Sequence, residues 1–415
     1  MISLLCLGWA IRLGAGDWPQ FLGPTRDGHY AGTDLAEVWP KEGPVVVWKK
    51  SVGQGFSGPA VSGDHLILVE RTGDKETVNC LDVLTGKSRW TFDYATGYRD
   101  DFGFDEGPRA TPAIADGKVF TSGAEGMLHC LDLADGRKLW SANTKADFQA
   151  PKGFFGMACS PLVEGEAVML GIGGEHGAGI VAFDKSTGRL LWKATDSEAS
   201  YSSPVAGSVE GRRYVFFLMR GGLVALNPVD GKVRFEFPWR PRVNASVSAA
   251  TPLVIDDLVF LSASYQAGAI LLRIHDGKPE KVWSADDVLS NHYATSVYNN
   301  GFLYGFDGRQ EMGQNLRCVE LKSGKIRWSE DRFGAGTVTL ANGRLLVLRE
   351  NGELILAPAS PDGFKPISRA QVLPNGVRAY PALAGGRFYA RAKDTLVCLD
   401  LRSDTATSTT RPTPR

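Results

Sequence analysis

The chain has 415 residues, in which 46 Lys and Arg balance 46 Asp and Glu. A formal charge of zero gives no general field that would gather phosphates or anionic lipid, which argues against nucleic-acid binding. Apolar residues make up 43% and charged residues 22% of the chain, so it can bury a core and is not globally disordered. Six cysteines without a Cys-x-x-Cys pair exclude a disulfide scaffold and a cysteine-based zinc or redox motif.

The first 16 residues, MISLLCLGWAIRLGAG, are apolar and end in small residues. This pattern resembles a secretory signal cleaved near Ala15 or Gly16, and it predicts a periplasmic or extracellular protein. An ordinary first helix and a displaced start are the alternatives, because no basic residue precedes the apolar stretch. Arg12 interrupts that stretch and no run of 18 uncharged apolar residues occurs, so we predict no transmembrane span.

Residues 17–44 form an N-terminal extension. From residue 80 onward one phrase recurs, in which Gly stands four positions before an aromatic residue and an acidic residue or Asn stands eight before it. The five copies end at Trp90, Trp140, Trp192, Phe235 and Trp328. Because the acidic residue or Asn starts a tight turn and Gly supplies a positive φ between two apolar runs, each copy predicts a β-hairpin.

A second marker precedes each hairpin, usually a small residue followed by Pro, and it opens a short apolar strand. The eight opening positions are Pro59, Pro112, Pro161, Pro204, Pro252, Ser296, Val338 and Pro381. Neighbouring openings are 42 to 53 residues apart. Four short strands in each unit of this length are typical of a propeller blade.

We therefore predict an all-β protein, an eight-bladed β-propeller of four-stranded antiparallel blades that covers residues 45–401 as one domain. The eighth unit stops at Leu401 without a fourth strand, while VVVWKK at residues 45–50 has no hairpin partner. We predict that this N-terminal strand completes the last blade and that residues 402–415 form a disordered tail. The fifth and seventh units depart from the phrase at Gly277 and Ile367, and we interpret them as degraded blades.

The repeated phrase resembles that of the PQQ-like, quinoprotein-type eight-bladed β-propellers, whose repeated Trp docks between blades. The resemblance covers residues 45–401, and it implies that one set of residues fills the docking position: Trp48, Trp90, Trp140, Trp192, Phe235, Trp283 and Trp328. This family holds PQQ-dependent alcohol and glucose dehydrogenases, and cofactor-free propellers such as the lipoprotein of the outer-membrane barrel assembly machinery. The opening WPQFLGPTRDG (residues 18–28) is similar to the start of uncharacterised bacterial PQQ-like repeat proteins.

The dehydrogenases of this family carry adjacent cysteines beside the quinone and much additional chain, and this sequence has neither. The resemblance therefore implies the fold, and it leaves PQQ with calcium as an alternative only. We predict that the residues hold no metal, that the protein binds PQQ poorly, and we assign no catalytic residue.

Function in such a fold is expected on the irregular loops, opposite the repeated hairpins. One residue of each blade lies three positions before the strand opening, close to the channel mouth: Phe56, Arg109, Ala158, Tyr201, Ala249, Tyr293, Ala335 and Arg378. With their neighbours they give the candidate ligand-binding set: Arg109, Arg378, His292, Tyr293, Arg309, Tyr201, Glu311, Glu350 and Phe155. Arg109 and Arg378 flank blade one, so we expect them to grip a carboxylate or sulfate together. The alternative is that both arginines form structural ion pairs with local carboxylates.

The two longest connections follow Trp90 and Trp140 and stand side by side. The first contains five carboxylates: Asp93, Asp100, Asp101, Asp105 and Glu106. Their spacing fits no calcium loop, so we interpret this connection as a solvated acidic loop. The second carries Phe154 and Phe155 between glycines, and we interpret the pair as a plug over the channel, with an exposed anchor as the alternative.

These features predict a secreted or periplasmic binding or scaffold module that takes a small anionic ligand or a protein partner at the channel mouth. The alternative is a small quinoprotein-like oxidoreductase of the PQQ-dependent alcohol or aldose dehydrogenase type.

Overall fold

The computed structural model describes residues 16–403, which fold almost entirely into β-strands. The strands form eight sheets, each built around four antiparallel strands, and these are the blades of the predicted eight-bladed propeller. Within the described range no helix has the length and apolar character needed to span a membrane. The predicted signal segment, apart from Gly16, and the predicted tail beyond residue 403 lie outside the described residues.

The strands follow the blades in chain order. The N-terminal part contributes β1 (His29–Tyr30) and β2 (Val45–Ser51). Blade one contains β3 (Ala60–Ser62), β4 (His65–Thr72), β5 (Lys75–Asp82) and β6 (Ser88–Ala95), and blade two contains β7 (Ala113–Ala115), β8 (Lys118–Ser122), β9 (Met127–Asp132) and β10 (Lys138–Asn143). Blade three contains β11 (Leu162–Glu164), β12 (Ala167–Gly171), β13 (Ile180–Asp184) and β14 (Leu190–Ala194), and blade four contains β15 (Val205–Val209), β16 (Arg212–Met219), β17 (Gly222–Leu226) and β18 (Val233–Pro238).

The second half continues the pattern. Blade five contains β19 (Leu253–Ile255), β20 (Leu258–Ala263), β21 (Gly268–His275) and β22 (Lys278–Ala285), and blade six contains β23 (Val297–Asn299), β24 (Phe302–Asp307), β25 (Asn315–Glu320) and β26 (Ile326–Glu330). Blade seven contains β27 (Gly336–Ala341), β28 (Arg344–Arg349), β29 (Glu353–Pro358) and β30 (Ser368–Gln371). Blade eight contains β31 (Ala382–Ala384), β32 (Arg387–Arg391) and β33 (Thr395–Asp400) together with β2. Two short helices lie in connections, α1 (Thr144–Phe148) and a 3-10 turn at Gln310–Met312. The fifth and seventh blades keep four strands despite their altered phrases.

The antiparallel order gives the propeller two different faces. The turns between first and second strands and between third and fourth strands lie on one side, which we call the hairpin face. The turns between second and third strands and the connections to the next blade lie on the other side, which we call the loop face.

The repeated Trp joins six of the eight blades to the next blade, as predicted. The Nε1–H of Trp90, for example, donates to the carbonyl of Leu133 at 2.9 Å. A Cβ on Gly136 would lie 2.4 Å from the Trp90 ring, so glycine lets that ring lie flat on the following turn. Six tryptophans donate to a backbone carbonyl of the following blade in this way: Trp48, Trp90, Trp140, Trp192, Trp283 and Trp328.

The closure of the ring is also as predicted. Strand β2 pairs antiparallel with β33 and completes blade eight, with Trp48 opposite Cys398. The Trp48 Nε1–H donates to the carbonyl of Val83 in blade one at 3.0 Å. The first and last parts of the propeller chain are thereby joined in one sheet.

Residues 18–30, which we call the floor segment, cross the channel near the hairpin face. At one end Trp18 and Val61 of blade one exchange backbone hydrogen bonds at 2.9 and 2.8 Å. At the other end β1 pairs in parallel with β27, which adds a fifth strand to blade seven. The sequence pattern did not predict this strand or the closure of the channel by the floor segment.

Candidate functional site

The loop-face end of the channel contains a cavity of about 220 Å³, which we call the mouth cavity. The strand openings hold seven of the eight predicted ring positions around it: Phe56, Arg109, Ala158, Tyr201, Ala249, Tyr293 and Arg378. Ala335 is the ring position that does not line the cavity. Three further residues of the candidate set line it, namely Phe155, His292 and Glu311.

Two residues of the candidate set lie just outside the mouth cavity. Arg309 lines an adjoining groove, where its guanidinium lies 4.5 Å from the Tyr265 ring and 3.2 Å from the Glu311 carboxylate. Glu350 lies behind Arg378 and accepts a hydrogen bond from its Nε at 2.6 Å. The structure thus gathers the whole predicted set at one end of the channel, with Glu350 in a supporting position.

Arg109 is held by an ion pair with a buried carboxylate. Its Nη2 lies 3.0 Å from Asp100 Oδ2, and the Asp100 side chain has no exposed surface. The same carboxylate accepts backbone N–H groups from Phe102, Phe104 and Asp105. For Arg109 the geometry therefore favours the structural ion pair over a cation free to bind a ligand.

Arg378 keeps more donors available. Its Nε donates to Glu350, while its two Nη groups have no hydrogen-bond acceptor among residues 16–403. The guanidinium groups of Arg109 and Arg378 each lie 5.5 Å from the Phe56 ring, so the two arginines do flank blade one. Each arginine already has a carboxylate partner, so the pair adds little net charge to the mouth cavity.

His292 is a buried, neutral side chain in the cavity wall. Its Nδ1 accepts the Gln310 N–H at 3.3 Å, which assigns the ring proton to Nε2 and directs it to the Tyr265 hydroxyl 3.1 Å away. Burial lowers the pKa of His292 below its ordinary value. The proton of the Tyr265 hydroxyl is then available to a ligand.

Exposed phenylalanines surround the mouth. Phe102, Phe104 and Phe154 are 58%, 48% and 39% exposed, whereas Phe155 packs 5.6 Å from the Tyr201 ring. The Tyr201 hydroxyl accepts the N–H groups of Phe154 and Phe155 at 2.8 and 3.3 Å, which fixes this loop. Phe155 therefore covers part of the cavity, as a plug would, while Phe154 faces solvent.

These rings border a wider depression of about 940 Å³, which we call the aromatic groove. It shares Phe104, Phe155, Tyr265 and Glu311 with the mouth cavity, so the two spaces form one continuous site. An exposed apolar patch of this kind marks an interaction surface on a soluble protein.

The acidic loop is tied to the propeller more than its composition suggested. Asp101 binds Lys152 at 2.6 Å, and Glu106 lies 3.6 Å from the buried Arg71 and 3.3 Å from Arg99. The expectation of a solvated loop applies to part of it only, because Asp100 and Asp105 are buried.

Several cavity residues were missed by the sequence analysis. Phe21 enters from the floor segment, and Tyr265 comes from a turn in which it and Gln266 have φ values of 61° and 65°. Such left-handed non-glycine residues are uncommon and are tolerated where the surroundings hold them. Tyr380 had a usable signal, because it is the one large residue before the strand openings.

The described residues contain one group with three metal-type ligand atoms within 4.8 Å, formed by Glu210, His275 and Asp276. It lies at exposed turns of the hairpin face, remote from the mouth cavity. Glu210 already accepts a hydrogen bond from Asp276 N at 3.3 Å, and its carboxylate lies 3.3 Å from His275 Nδ1. We assign no metal to it.

A family model described as "Outer membrane protein assembly factor BamB" matches residues 74–330, more than half of the chain. The chain belongs to the BamB family. Its membership confirms the predicted resemblance to PQQ-like propellers. The BamB of Burkholderia pseudomallei is 23% identical over 390 residues, which cover 89% of this chain and 91% of that protein.

Quinone enzymes are similar over a smaller part of their sequences. The quinohemoprotein alcohol dehydrogenase ADH-IIG of Pseudomonas putida is 29% identical over 180 residues, which are 40% of this chain and 24% of the enzyme. The crystal structure of quinohemoprotein alcohol dehydrogenase from Comamonas testosteroni matches with a TM-score of 0.67 at 16% identity, covering 98% of this chain and 82% of that one. At that identity the likeness concerns the fold alone.

The mouth cavity of this BamB-family chain does not fit a calcium-bound quinone. Calcium takes six to eight oxygen ligands, but the carboxylates at the mouth, Asp100, Glu311 and Glu350, each bind an arginine instead. Among the described residues no three His, Cys, Asp or Glu side chains bring their ligand atoms together there. We therefore derive no reaction through PQQ.

Proposed function

We propose that this BamB-family propeller is a periplasmic or secreted binding protein that captures its ligand or partner at the loop-face mouth of the channel. The observation that carries the proposal is the mouth cavity of about 220 Å³, which opens into the aromatic groove. Pockets lined mainly by aromatic rings, with a few converging polar groups, are the usual form of a binding site.

The charges and the loops around the mouth support a binding role. The ion pairs of Arg109 and Arg378 hold the cavity wall in place, and Tyr265 offers a hydroxyl proton to a ligand. The exposed Phe102 and Phe154 extend the apolar surface beyond the cavity. Relatives named as outer membrane protein assembly factors act with other proteins, which supports a protein partner on this extended surface.

The first experiment tests the site with single-ring probes. Thermal-shift and fluorine NMR titrations with neutral, anionic and cationic fluorobenzenes should detect binding to the full chain. The variants Phe155→Ala and Tyr265→Ala should weaken binding of the probes several-fold, because each removes part of the cavity wall. The control Leu84→Ala, which truncates an exposed residue of the hairpin face, should bind as the unmodified protein does; equal loss in the control would contradict the proposal.

A quinoprotein-like oxidoreductase is the second candidate, and the 29% identity to the Pseudomonas enzyme is the observation in its favour. Reconstitution with PQQ and Ca²⁺ tests it. We expect neither quinone absorbance in the purified complex nor dye-linked oxidation of alcohols or aldoses, because the mouth carboxylates are engaged by arginines. Micromolar binding of PQQ with turnover would reverse the order of the two candidates.

A further inference from the structure

Arg26, in the middle of the floor segment, is a buried cation that forms no ion pair with a carboxylate of residues 16–403. It is 1% exposed, and its Nη1 donates to the carbonyls of Pro204 at 2.8 Å and Ser160 at 3.5 Å. Its Nη2 donates to the carbonyl of Pro161, and its Nε donates to Gln20 at 2.9 Å. Burial lowers the pKa of Arg26 to about 10, so the guanidinium stays charged at neutral pH.

This charge lies beside the base of the mouth cavity. Ser160 lines the cavity through its own surface and accepts a hydrogen bond from Arg26 through its carbonyl. Phe21, one residue along from the Gln20 that Arg26 binds, lines the same cavity. The positive charges at the rim form ion pairs with carboxylates, whereas within residues 16–403 the hydrogen-bond acceptors of Arg26 are all neutral oxygen atoms, so no direct ion pair neutralises its charge.

Three hydroxyls in the cavity wall offer protons in the same region. Thr111, Ser160 and Ser203 are each at most 3% exposed and line the cavity. Their oxygens accept the backbone N–H groups of Gly58, Thr111 and Ser160 at 3.2, 2.9 and 3.0 Å. Within residues 16–403 none of the three hydroxyls has an acceptor for its own proton, so all three can donate to a ligand.

The upper part of the cavity is apolar and small. Phe56, Phe155 and Tyr201 contribute rings to its wall. Drug-sized ligands occupy pockets of roughly 300–1,000 Å³, so a cavity of about 220 Å³ suits a ligand with a single ring. Tyr293 also lines the cavity, and its buried hydroxyl has no hydrogen-bond partner within residues 16–403.

We propose that the mouth cavity binds a small carboxylate carried by one planar apolar ring, with the carboxylate directed to the Thr111, Ser160 and Ser203 hydroxyls and stabilised by the charge of Arg26. The inference rests on the proposed function that the mouth is a binding site. It attributes the preference for an anionic ligand to Arg26. Arg109 and Arg378 then shape the rim of the mouth cavity.

The experiment compares three probes of the same size on the full chain by fluorine NMR: 4-fluorobenzoate, 4-fluorobenzyl alcohol and 4-fluorobenzylamine. We expect 4-fluorobenzoate to bind at least about tenfold more tightly than the alcohol, since hydrogen bonds to a charged group are stronger than those to a neutral one. The amine should bind most weakly. Arg26→Gln should reduce the preference for the benzoate several-fold, while Arg26→Lys, which keeps the charge, should retain more of it.

Two controls separate folding from recognition. Arg369→Gln removes an arginine that pairs with Glu353 at 3.2 Å on the outer strand of blade seven, and it should leave all three affinities unchanged. If Arg26→Gln does not fold, Ser203→Ala replaces it, because that variant removes one donor and should weaken the benzoate more than the alcohol.

The outcomes distinguish this inference from the proposed function. Equal binding of benzoate and alcohol to the unmodified protein, with both weakened by Phe155→Ala, would overturn the anion preference and leave the mouth as the binding site. An unchanged preference in folded Arg26→Gln would overturn the role of Arg26. Absence of binding for all three probes would overturn both proposals.

Discussion

Single residues connect the blades through an interaction that repeats around the ring. The indole of Trp90 donates to a carbonyl of the next blade and lies flat on Gly136, whose φ is 75°. Blade four shows what happens without the donor, because Phe235 takes the same position and packs 6.3 Å from the Tyr214 ring instead. The repeat thus combines one hydrogen bond, one ring contact and one glycine conformation.

Separate substitutions should show how much the hydrogen bond and the glycine conformation each contribute to the free energy of unfolding. Trp90→Phe should lower the free energy of unfolding by about 1 kcal/mol, the usual net value of one hydrogen bond. Gly136→Ala should cost more, because the positive φ alone costs about 1–2 kcal/mol and the new Cβ would approach the Trp90 ring to 2.4 Å. Urea denaturation checks both values.

The matched control is Gly117→Ala, since Gly117 has a φ of 69° and a Cβ there would meet no atom within 4 Å. It should lower the free energy of unfolding only by the conformational cost of about 1–2 kcal/mol. If Gly136→Ala proved no more costly than this control, the flat packing of Trp90 on Gly136 would not be a determinant of blade docking.

His129 gives a pH dependence with a defined sign. Its ring lies 4.4 Å from the Tyr94 ring, its buried Nδ1 has no hydrogen-bond partner in the described part of the chain, and burial lowers its pKa to about 4. In the unfolded chain the pKa is near the usual value of about 6.5. The unfolded state therefore binds a proton first, and stability should fall on acidification from about pH 6.5 to about pH 4.

The slope that His129 adds should approach about 1.4 kcal/mol per pH unit inside that window. His129→Phe keeps the ring contacts and removes the titrating group, so its stability should depend less on pH there. His176→Phe, at a histidine whose side chain is 79% exposed, should leave the pH dependence unchanged. Urea midpoints measured between pH 4 and pH 7 compare the three proteins.

At the scale of elements, the strand that closes the ring can be separated experimentally from the floor segment. Deletion of residues 1–44 removes the floor segment and keeps β2, whereas deletion of residues 1–51 also removes β2 and the Trp48 bond to Val83. We expect the longer deletion to lower the urea midpoint further and to broaden the transition, because it leaves blade eight with an unpaired edge. Identical unfolding of the two truncated proteins would show that β2 contributes nothing to closure.

The blades and β2 were predictable because their determinants are local. The phrase from Asp82 to Trp90 contains its own turn signal, and β2 was recognised as the fourth strand that the last unit lacks. The ring around the mouth followed from the same register, which is why seven of its eight positions line the cavity.

The floor segment was not predictable on these grounds. Arg26 donates to the backbone carbonyls of Ser160, Pro161 and Pro204, which lie 134 to 178 residues away in the chain. Because every residue has a backbone carbonyl, no side chain in the sequence marks these acceptors. The partner of Arg109 was ambiguous because several carboxylates precede it between residues 93 and 106. The partner of Arg378 had no local signal, because Glu350 lies 28 residues before it in the chain. The small residues before the strand openings also have a role beyond opening a strand, because the hydroxyls of Thr111, Ser160 and Ser203 link adjacent blades.

At the scale of the whole molecule, the ring requires a closed circle of blades and sets no condition on where the chain begins. In blade eight, Val45 lies opposite Asp400. The corresponding pair in blade one is Lys87 and Asp82, which are joined by a backbone hydrogen bond. Four residues, 83–86, complete the turn in blade one, so four residues should suffice to join Asp400 to Val45 as an ordinary hairpin.

A circularly permuted chain tests this directly. It begins at Arg332, runs to Asp400, continues through a copied Val-Leu-Thr-Gly turn into Val45, and ends at Asp331, an exposed position between β26 and β27. We expect the strand-rich circular dichroism spectrum and one cooperative urea transition, because all eight four-stranded blades are present. The permuted chain lacks the floor segment, so it should also lose the preference for 4-fluorobenzoate over 4-fluorobenzyl alcohol. A permuted chain that folds cooperatively and keeps that preference would separate the ring from the floor segment and assign anion recognition to the blades alone.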